Sequence, residues 1–396
     1  MPTNPFYKFD PYRVPSPCFV VDEVSVENNL KTLNYVQEQS GAKVLAALKA
    51  FSMWSLAPLV NKYLSGTCSS GLNEARLGAE EYGGEVHVFS AAYTESDLKE
   101  ILPIADHVVF NSFGQWQRFK PLVQKTQQQR EGKPEVGLRI NPEHSEGTVA
   151  IYDPCAPCSR LGIPYAEFKK AQAEQGDAYL EGVSGLHFHT LCEQGYEPLA
   201  RTLAAVEETF GSIIPQMQWV NFGGGHHISA EGYNVEGLIK RIKRFKQDYD
   251  VDVYLEPGEA IAIHTGVLVT EVLDITHNVM NLAILDTSAT CHMPDTLEMP
   301  YRPDVLNAAE PNVLPHTYRV GGMTCLAGDV INDYSFANPL KVGDRMVFDD
   351  MSHYTMVKTT TFNGINLPSI AIWNSETDAL KVVKQFGYED FKGRLS

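Results

Sequence analysis

Eight short apolar runs, each followed by an amphipathic stretch, constrain this chain more than any other feature of its sequence. The runs are Lys43–Leu48, Gly66–Ser70, Val86–Phe89, His107–Phe110, Val136–Ile140, Val183–Phe188, Trp219–Phe222 and Val251–Leu255. Continuous apolar runs of this length read as strands buried on both faces, the condition of a parallel sheet covered by helices. Segments flanking them, such as Val26–Gln39, Leu72–Tyr82, Glu95–Leu102, Pro198–Phe210 and Val235–Tyr249, repeat their apolar residues with the period of one helix face. Eight strand-then-helix units within about 240 residues predict an α/β fold, a (β/α)8 barrel of the TIM type.

Past residue 265 the pattern changes. The stretches GVLVTEVLDIT, MNLAILDTS, HTYRVGG, RMVFDD and TTTFNG are β-branched and broken by Gly, Pro and Asn, which predicts a C-terminal, mainly antiparallel β domain. A chain of 396 residues, 43% of them hydrophobic, has enough apolar surface for two domains. We expect the barrel over 20–265 and the β domain over 266–396, with the proline-bearing N-terminal segment 1–19 added to the latter.

Charge narrows the choice of partner. Forty-nine acidic against 32 basic residues give a net charge of −17. That sign disfavours nucleic acid and anionic membranes and is compatible with a small cationic substrate. The N-terminal MPTNPFYKFDPYRVPSPCF lacks a basic flank followed by an apolar core, and no run of about 18 apolar residues occurs, so a cytoplasmic protein is expected. The seven cysteines are odd in number and scattered, which fits thiols in a reducing compartment better than a disulfide framework.

Barrel enzymes carry their reacting groups at the C-terminal ends of the strands. Lys49 ends the first run (VLAALKAF), His187 and His189 end the sixth (GLHFHT), Gly223, Gly224 and Gly225 follow the seventh (NFGGGHH), and Glu256 ends the eighth (LEPGE). A lysine closing a buried strand either snorkels to solvent or, desolvated, keeps an amine able to form an imine. Three glycines in a strand-to-helix loop either make a tight turn or let backbone N–H groups approach a phosphate. Glu256 is either a surface carboxylate or, at a barrel mouth, the partner of a cationic ring nitrogen.

Other residues leave alternatives open. His187, His189, His226 and His227 near one rim could bind a metal, although no carboxylate set accompanies them and Lys49 would then have no task. His189 could instead stack on a flat ring. Cys155 and Cys158 form a lone C-x-x-C with no second pair at zinc spacing. Cys325, in GGMTCLAGD, is either an inert buried thiol or a proton donor.

Together, the motifs ALKAFS, CSSGLNEA, YDPCAPCSRLG, LHFHTLCE, NFGGGHH, LEPGEA and GGMTCLAGD resemble those of the alanine racemase-fold (fold type III) decarboxylases over nearly the whole chain. The resemblance implies pyridoxal 5'-phosphate as cofactor, joined covalently to Lys49, stacked on His189 and paired through its ring nitrogen with Glu256. It implies that Gly223, Gly224, Gly225, Gly258 and Tyr354 hold the phosphate. Cys325 would enter from the partner subunit of a homodimer with shared active sites, next to the substrate, and either Cys325 or Lys49 would protonate the carbanion left by loss of CO2.

Three departures from the family's usual motifs bear on the substrate. Basic amino-acid decarboxylases usually read EPGR, whereas this chain reads EPGE and so offers the Glu259 carboxylate to a cation. Diaminopimelate decarboxylases read CESGD, whereas this chain reads Cys325-Leu326-Ala327-Gly328-Asp329, which removes one acid and keeps Asp329 as a substrate-binding candidate. The position three after His189, usually serine, is Cys192, a weaker donor to phosphate. The resemblance therefore implies decarboxylation of a polyamine precursor of the carboxylated norspermidine or spermidine type. The rival readings are a diaminopimelate-type decarboxylase, a racemase, a non-catalytic barrel that carries the cofactor, and a metal-dependent barrel hydrolase.

Overall fold

The computed structural model describes residues 4–147 and 152–396. They divide into two compact units, a barrel unit of Asn29–Ile261 and a sheet unit of Met1–Asn28 with Ala262–Ser396. The first strand, β1 (Cys18–Asp22), is a strand of the sheet unit.

In the barrel unit the eight expected runs all form strands. They are β2 (Lys43–Ala47), β3 (Gly66–Ser69), β4 (Glu85–Phe89), β5 (His107–Phe110) and β6 (Glu135–Asn141), then, after the two-residue β7 (Ile163–Pro164), β8 (Gly185–His187), β9 (Trp219–Asn221) and β10 (Asp252–Leu255). All eight pair in parallel in the order β2-β3-β4-β5-β6-β8-β9-β10, and β10 pairs back with β2, which closes the barrel. β5, β8 and β9 are buried at every residue, which is why the runs do not alternate.

Helices α1 (Glu23–Ser40), α2 (Ala57–Tyr63), α3 (Leu72–Leu77), α4 (Glu95–Ile101), α5 (Phe113–Gln129), α6 (Tyr165–Gln175), α7 (Tyr196–Phe210) and α8 (Val235–Tyr249) separate the strands. Side-chain caps start several of them. Thr94 accepts from Asp97 N, Ser112 from Gln115 N and Asn234 from Gly237 N, each satisfying an otherwise orphaned first-turn donor. α8 buries Leu238, Ile239, Ile242 and Phe245 and leaves its charged face outside, as its period requires.

The barrel interior narrows around Trp219, the first residue of β9. Its indole occupies the space that side chains on Gly137 and Gly185 would need: a Cβ on Gly137 would lie 3.1 Å from Trp219 Cζ2, and one on Gly185 would overlap the ring. Leu45, Val109 and Tyr254 pack around it. Barrels of this type build their sites at the opposite end, where the strands finish.

In the sheet unit the order is β13-β15-β14-β12-β11-β1-β17-β18, with β16 pairing β11. The strands are β11 (Gly266–Asn278), β12 (Met280–Leu285), β13 (Ala308–Ala309), β14 (His316–Gly321), β15 (Val330–Phe336), β16 (Arg345–Phe348), β17 (Ser369–Trp373) and β18 (Leu380–Lys384). All pairings are antiparallel except β1 with β17 and β12 with β14. The core of Phe6, Phe9, Val14, Cys18, Val20, Val267, Val269, Ala371 and Trp373 draws in the N-terminal segment.

Two details differ from the sequence pattern. The strand CFVVD runs across position 20 and is buried throughout, because β11 and β17 flank it on both edges. TTTFNG is a turn and not a strand: Phe362–Gly364 coil tightly, with Asn363 in the left-handed region at φ 60°.

Candidate active site

Lys49 sits in the turn directly after β2, between the buried Leu48 and Ala50, with its own side chain exposed. The strand is buried, as expected, but the Lys49 side chain emerges to solvent at the strand's end. The EPGE turn packs against this turn. Ala47 N–H donates to Pro257 O at 3.0 Å, and a Cβ on Gly258 would lie 2.7 Å from Ala50 Cβ and 3.3 Å from Ala47 Cβ. Gly258 therefore brings the turns together by lacking a side chain.

Glu256 follows β10 and is largely buried. His187 Nε2 is 3.2 Å from its Oε2, and Asn221 Nδ2 donates to its Oε1 at 2.7 Å. Burial alone would raise this carboxyl, but the His187 imidazole and the Asn221 amide outweigh it and hold the group ionised below the usual carboxylate range. Cys68 on β3 also reaches Glu256; burial and then the neighbouring carboxylate keep its thiol protonated. The site thus presents a fixed, desolvated anion at the barrel mouth.

The glycine loop is a cradle defined by close backbone approach. A Cβ on Gly223 would lie 2.8 Å from His189 Cβ, one on Gly224 would lie 2.9 Å from the Glu256 carbonyl carbon, and one on Gly225 would overlap Leu191 O. Gly223 and Gly225 also have φ of +68° and +82°, which other residues rarely adopt. Two of the three amides are already engaged: Gly223 N–H donates to Asn221 Oδ1 at 2.8 Å and Gly224 N–H to His189 Nδ1 at 3.0 Å.

The Gly224 contact fixes the His189 ring. Nδ1 accepts, so the ring is neutral with its proton on Nε2, in line with burial and the charges of Lys49 and Arg139 holding it well below the usual imidazole range. Arg139 near the end of β6 donates from Nη2 to His189 O at 2.9 Å and lies 4.5 Å from the Phe89 ring centroid. Burial lowers its guanidinium to about 10, with the Glu256 charge opposing. Arg139, Asn221 and Cys68 were assigned no role from the sequence, although Cys68 opens CSSGLNEA, Asn221 opens NFGGGHH and Arg139 is a charged residue inside the apolar run VGLRI.

The four rim histidines do not converge. His187 meets Glu256, His189 meets Gly224, His226 Nδ1 meets Tyr233 OH at 2.7 Å, and His227 Nε2 lies 3.2 Å from Glu259 Oε2. Among the described residues, Glu85, His87 and His107 bring one potential ligand atom each within 4.8 Å of one another, away from the strand ends that carry Lys49 and Glu256. Their geometry suits packing better than coordination. The two imidazoles stack at 3.9 Å with 20° between planes, so their lone pairs run side by side, and the Lys43 ammonium already pairs with Glu85.

The remaining candidates belong to the sheet unit. Cys325 is exposed, and its N–H donates to Asn363 Oδ1 at 3.0 Å. Asp329, expected to bind substrate, is instead buried and accepts from Ser288 Oγ, Ala289 N, Thr324 N and Thr324 Oγ1. Those four bonds occupy the lone pairs a substrate ammonium would need, so Asp329 ties down the loop that carries Cys325. Tyr354 is half-buried and begins the short helix Tyr354–Val357.

Pyridoxal phosphate demands a reachable amine, an anion for its ring nitrogen, a glycine cradle for its phosphate and a flat face. Lys49, Glu256, the Gly223–Gly225 loop and His189, all in the barrel unit, are the residues that could answer those demands, with the Gly223 and Gly224 amides already bonded within the unit. Ser69 Oγ, His187 Nδ1 and Thr190 Oγ1 in the same region are buried without hydrogen-bond partners among the described residues, as polar atoms at a ligand site often are.

Residues 18–352 match the family described as pyridoxal-dependent decarboxylase, C-terminal sheet domain. The chain is 42% identical to carboxyaminopropylagmatine decarboxylase of Synechocystis sp., over 96% of each chain. It is also 42% identical to carboxynorspermidine/carboxyspermidine decarboxylase of Campylobacter jejuni, over 96% of this chain and 99% of that one. The crystal structure of carboxynorspermidine decarboxylase from Campylobacter jejuni, complexed with norspermidine, superposes with a TM-score of 0.86 at 42% identity, covering 96% of this chain and 100% of that one. The chain belongs to the pyridoxal-dependent decarboxylases, and its cofactor is pyridoxal phosphate.

Proposed function

We propose that the enzyme removes the carboxylate of a carboxylated polyamine precursor, carboxynorspermidine or carboxyspermidine, and releases norspermidine or spermidine. The observation that carries this reading is Glu259. It follows the Glu256 turn, is mostly buried and faces His227, so a carboxylate stands at the mouth where basic amino-acid decarboxylases usually have arginine. A linear precursor with an internal ammonium has a charge to offer it. Two full-length relatives at 42% identity act, by their names, on carboxy-bearing substrates built on spermidine-like and agmatine chains. The Synechocystis relative supports a second reading in which the distal cation is guanidinium.

In the reaction, the α-carbon–carboxylate bond breaks, CO2 leaves, and one proton replaces it on that carbon. Pyridoxal phosphate supplies the electron sink for the pair left behind. Lys49 anchors the cofactor through its exposed amine and moves protons at the α-carbon. Glu256 keeps the ring nitrogen protonated, and His189 supports the ring face. The Gly223–Gly225 loop, Gly258 and Tyr354 bind the phosphate. Cys325 acts from the partner subunit of a homodimer as the proton donor, with its loop braced by Asp329 and Asn363. A cytoplasmic location accords with the free cysteines; among the described residues no helix is long and apolar enough to cross a membrane.

A product assay with carboxynorspermidine, carboxyspermidine, carboxyaminopropylagmatine and diaminopimelate tests the reading. We expect kcat/KM for one of the first two at least about 10²-fold above diaminopimelate, the effect of one mispaired charge in a dry site. Glu259→Gln should erode the difference mainly through KM. Efficient turnover of diaminopimelate would refute the substrate assignment, and a preference for carboxyaminopropylagmatine would select the guanidinium reading.

A further inference from the structure

His187 is buried on β8, with Nε2 3.2 Å from Glu256 Oε2 and its ring tilted against Phe89 at 5.4 Å. An ionised carboxylate only accepts hydrogen bonds, so Nε2 carries the proton. Nδ1 is buried and has no hydrogen-bond partner among the described residues. A second proton there would be a buried donor with nothing to receive it, at a cost that desolvation makes severe. Burial, helped by Arg139 and Lys49 and opposed by Glu256, also lowers the imidazole pKa. Geometry and burial therefore agree on a neutral ring.

The other carboxylate oxygen is treated the same way. Asn221 donates to Oε1 at 2.7 Å, and its own Oδ1 accepts from Gly223 N at 2.8 Å, which fixes the amide orientation. Glu256 is thus oriented from both sides by neutral donors. A cationic histidine here would hold the carboxylate just as well but would cancel the charge it offers.

We infer that His187 is a positioning residue that aims Glu256 through a neutral Nε2–H donor and leaves the carboxylate's charge for the cofactor's ring nitrogen. The inference rests on the reading of Glu256 as the ring-nitrogen partner. It predicts that hydrogen bonding, and not charge, is what position 187 must supply.

The test compares binding of pyridoxal 5'-phosphate and its 1-deaza analogue, in which C–H replaces the ring nitrogen, to apo wild type, His187→Gln and His187→Leu. The two ligands share shape and aldehyde, so a general structural defect weakens both and leaves their ratio unchanged. Wild type and His187→Gln should prefer pyridoxal phosphate by at least about 10-fold, and His187→Leu should lose most of that preference, as expected when a charge-assisted hydrogen bond is misaligned. An unchanged ratio in His187→Leu overturns the inference and leaves the Glu256 reading standing. A wild type without preference overturns both.

A second measurement needs no folded Leu variant. Ring ¹⁵N spectra of histidine-labelled apo wild type, with His187 assigned by its loss in His187→Gln, should show one protonated and one bare nitrogen at neutral pH. A doubly protonated His187 ring overturns the inference.

Discussion

Gly224→Ala is the sharpest test of how the glycine loop and the Glu256 strand end depend on each other. Gly224 does not adopt a left-handed φ, so alanine meets no backbone strain and the effect is purely steric. Its Cβ would overlap Glu256 O, lie 2.9 Å from the Glu256 carbonyl carbon and 3.6 Å from Pro257 N. Neither neighbour is a flexible side-chain end. Backbone must therefore shift by about 1 Å, at a stability cost of about 1–3 kcal/mol for overpacking. The shift is delivered to Glu256 itself, and a misplacement of about 1 Å at a reacting group costs about 10²-fold in rate. Gly114→Ala is the control, because it lies in the first turn of α5 with nothing nearer than Ser112 Oγ at 4.0 Å and should leave turnover and stability nearly unchanged. Decarboxylation kinetics, bound cofactor and thermal midpoint would be measured on both variants. Turnover by Gly224→Ala within about threefold of wild type, with an unchanged midpoint, would refute the close-approach argument.

Borohydride reduction should fix the cofactor to the peptide containing Lys49, and Lys49→Ala should lose nearly all turnover; labelling of another lysine would remove Lys49 from its role. If Cys325 acts across a dimer, mixing inactive Lys49→Ala and Cys325→Ala subunits should restore up to about a quarter of wild-type activity, since half the dimers are mixed and each has one intact site. No recovery after proven subunit exchange would put Cys325 elsewhere. Acid should destabilise both units. Burial lowers His107 in the barrel unit to about 2 and His292 in the sheet unit to about 4. The unfolded chain protonates these residues below about pH 6.5 while the native state does not, so stability present at pH 7 is lost as pH falls, by about 2 kcal/mol per residue at pH 5. Thermal midpoints at pH 7 and pH 5 check this, and equal midpoints would contradict it.

Much of the fold was legible because its physics is local. Strands buried on both faces must be apolar along their whole length, so all eight barrel strands show as runs, and Lys49, the Gly223–Gly225 loop and Glu256 stand out as the residues that end them. β1 was harder, since a buried CFVVD looks the same whether it joins a barrel or pairs with β11 and β17; only long-range pairing decides. The sheet strands VINDYSF, SIAIW and LKVVK were likewise missed, because half-exposed strands carry a weaker pattern than buried ones.

The sequence by itself determined the fold class, the cofactor chemistry and which residues end the barrel strands. The tertiary structure decided what those residues touch. It put Asp329 inside a loop anchor, left the Lys49 side chain exposed beside a buried strand, separated four rim histidines onto four partners, and set His187 and Asn221 on the two oxygens of Glu256. The reason is that composition and period record whether a position is buried, whereas hydrogen-bond partners and protonation depend on atoms brought together from distant parts of the chain.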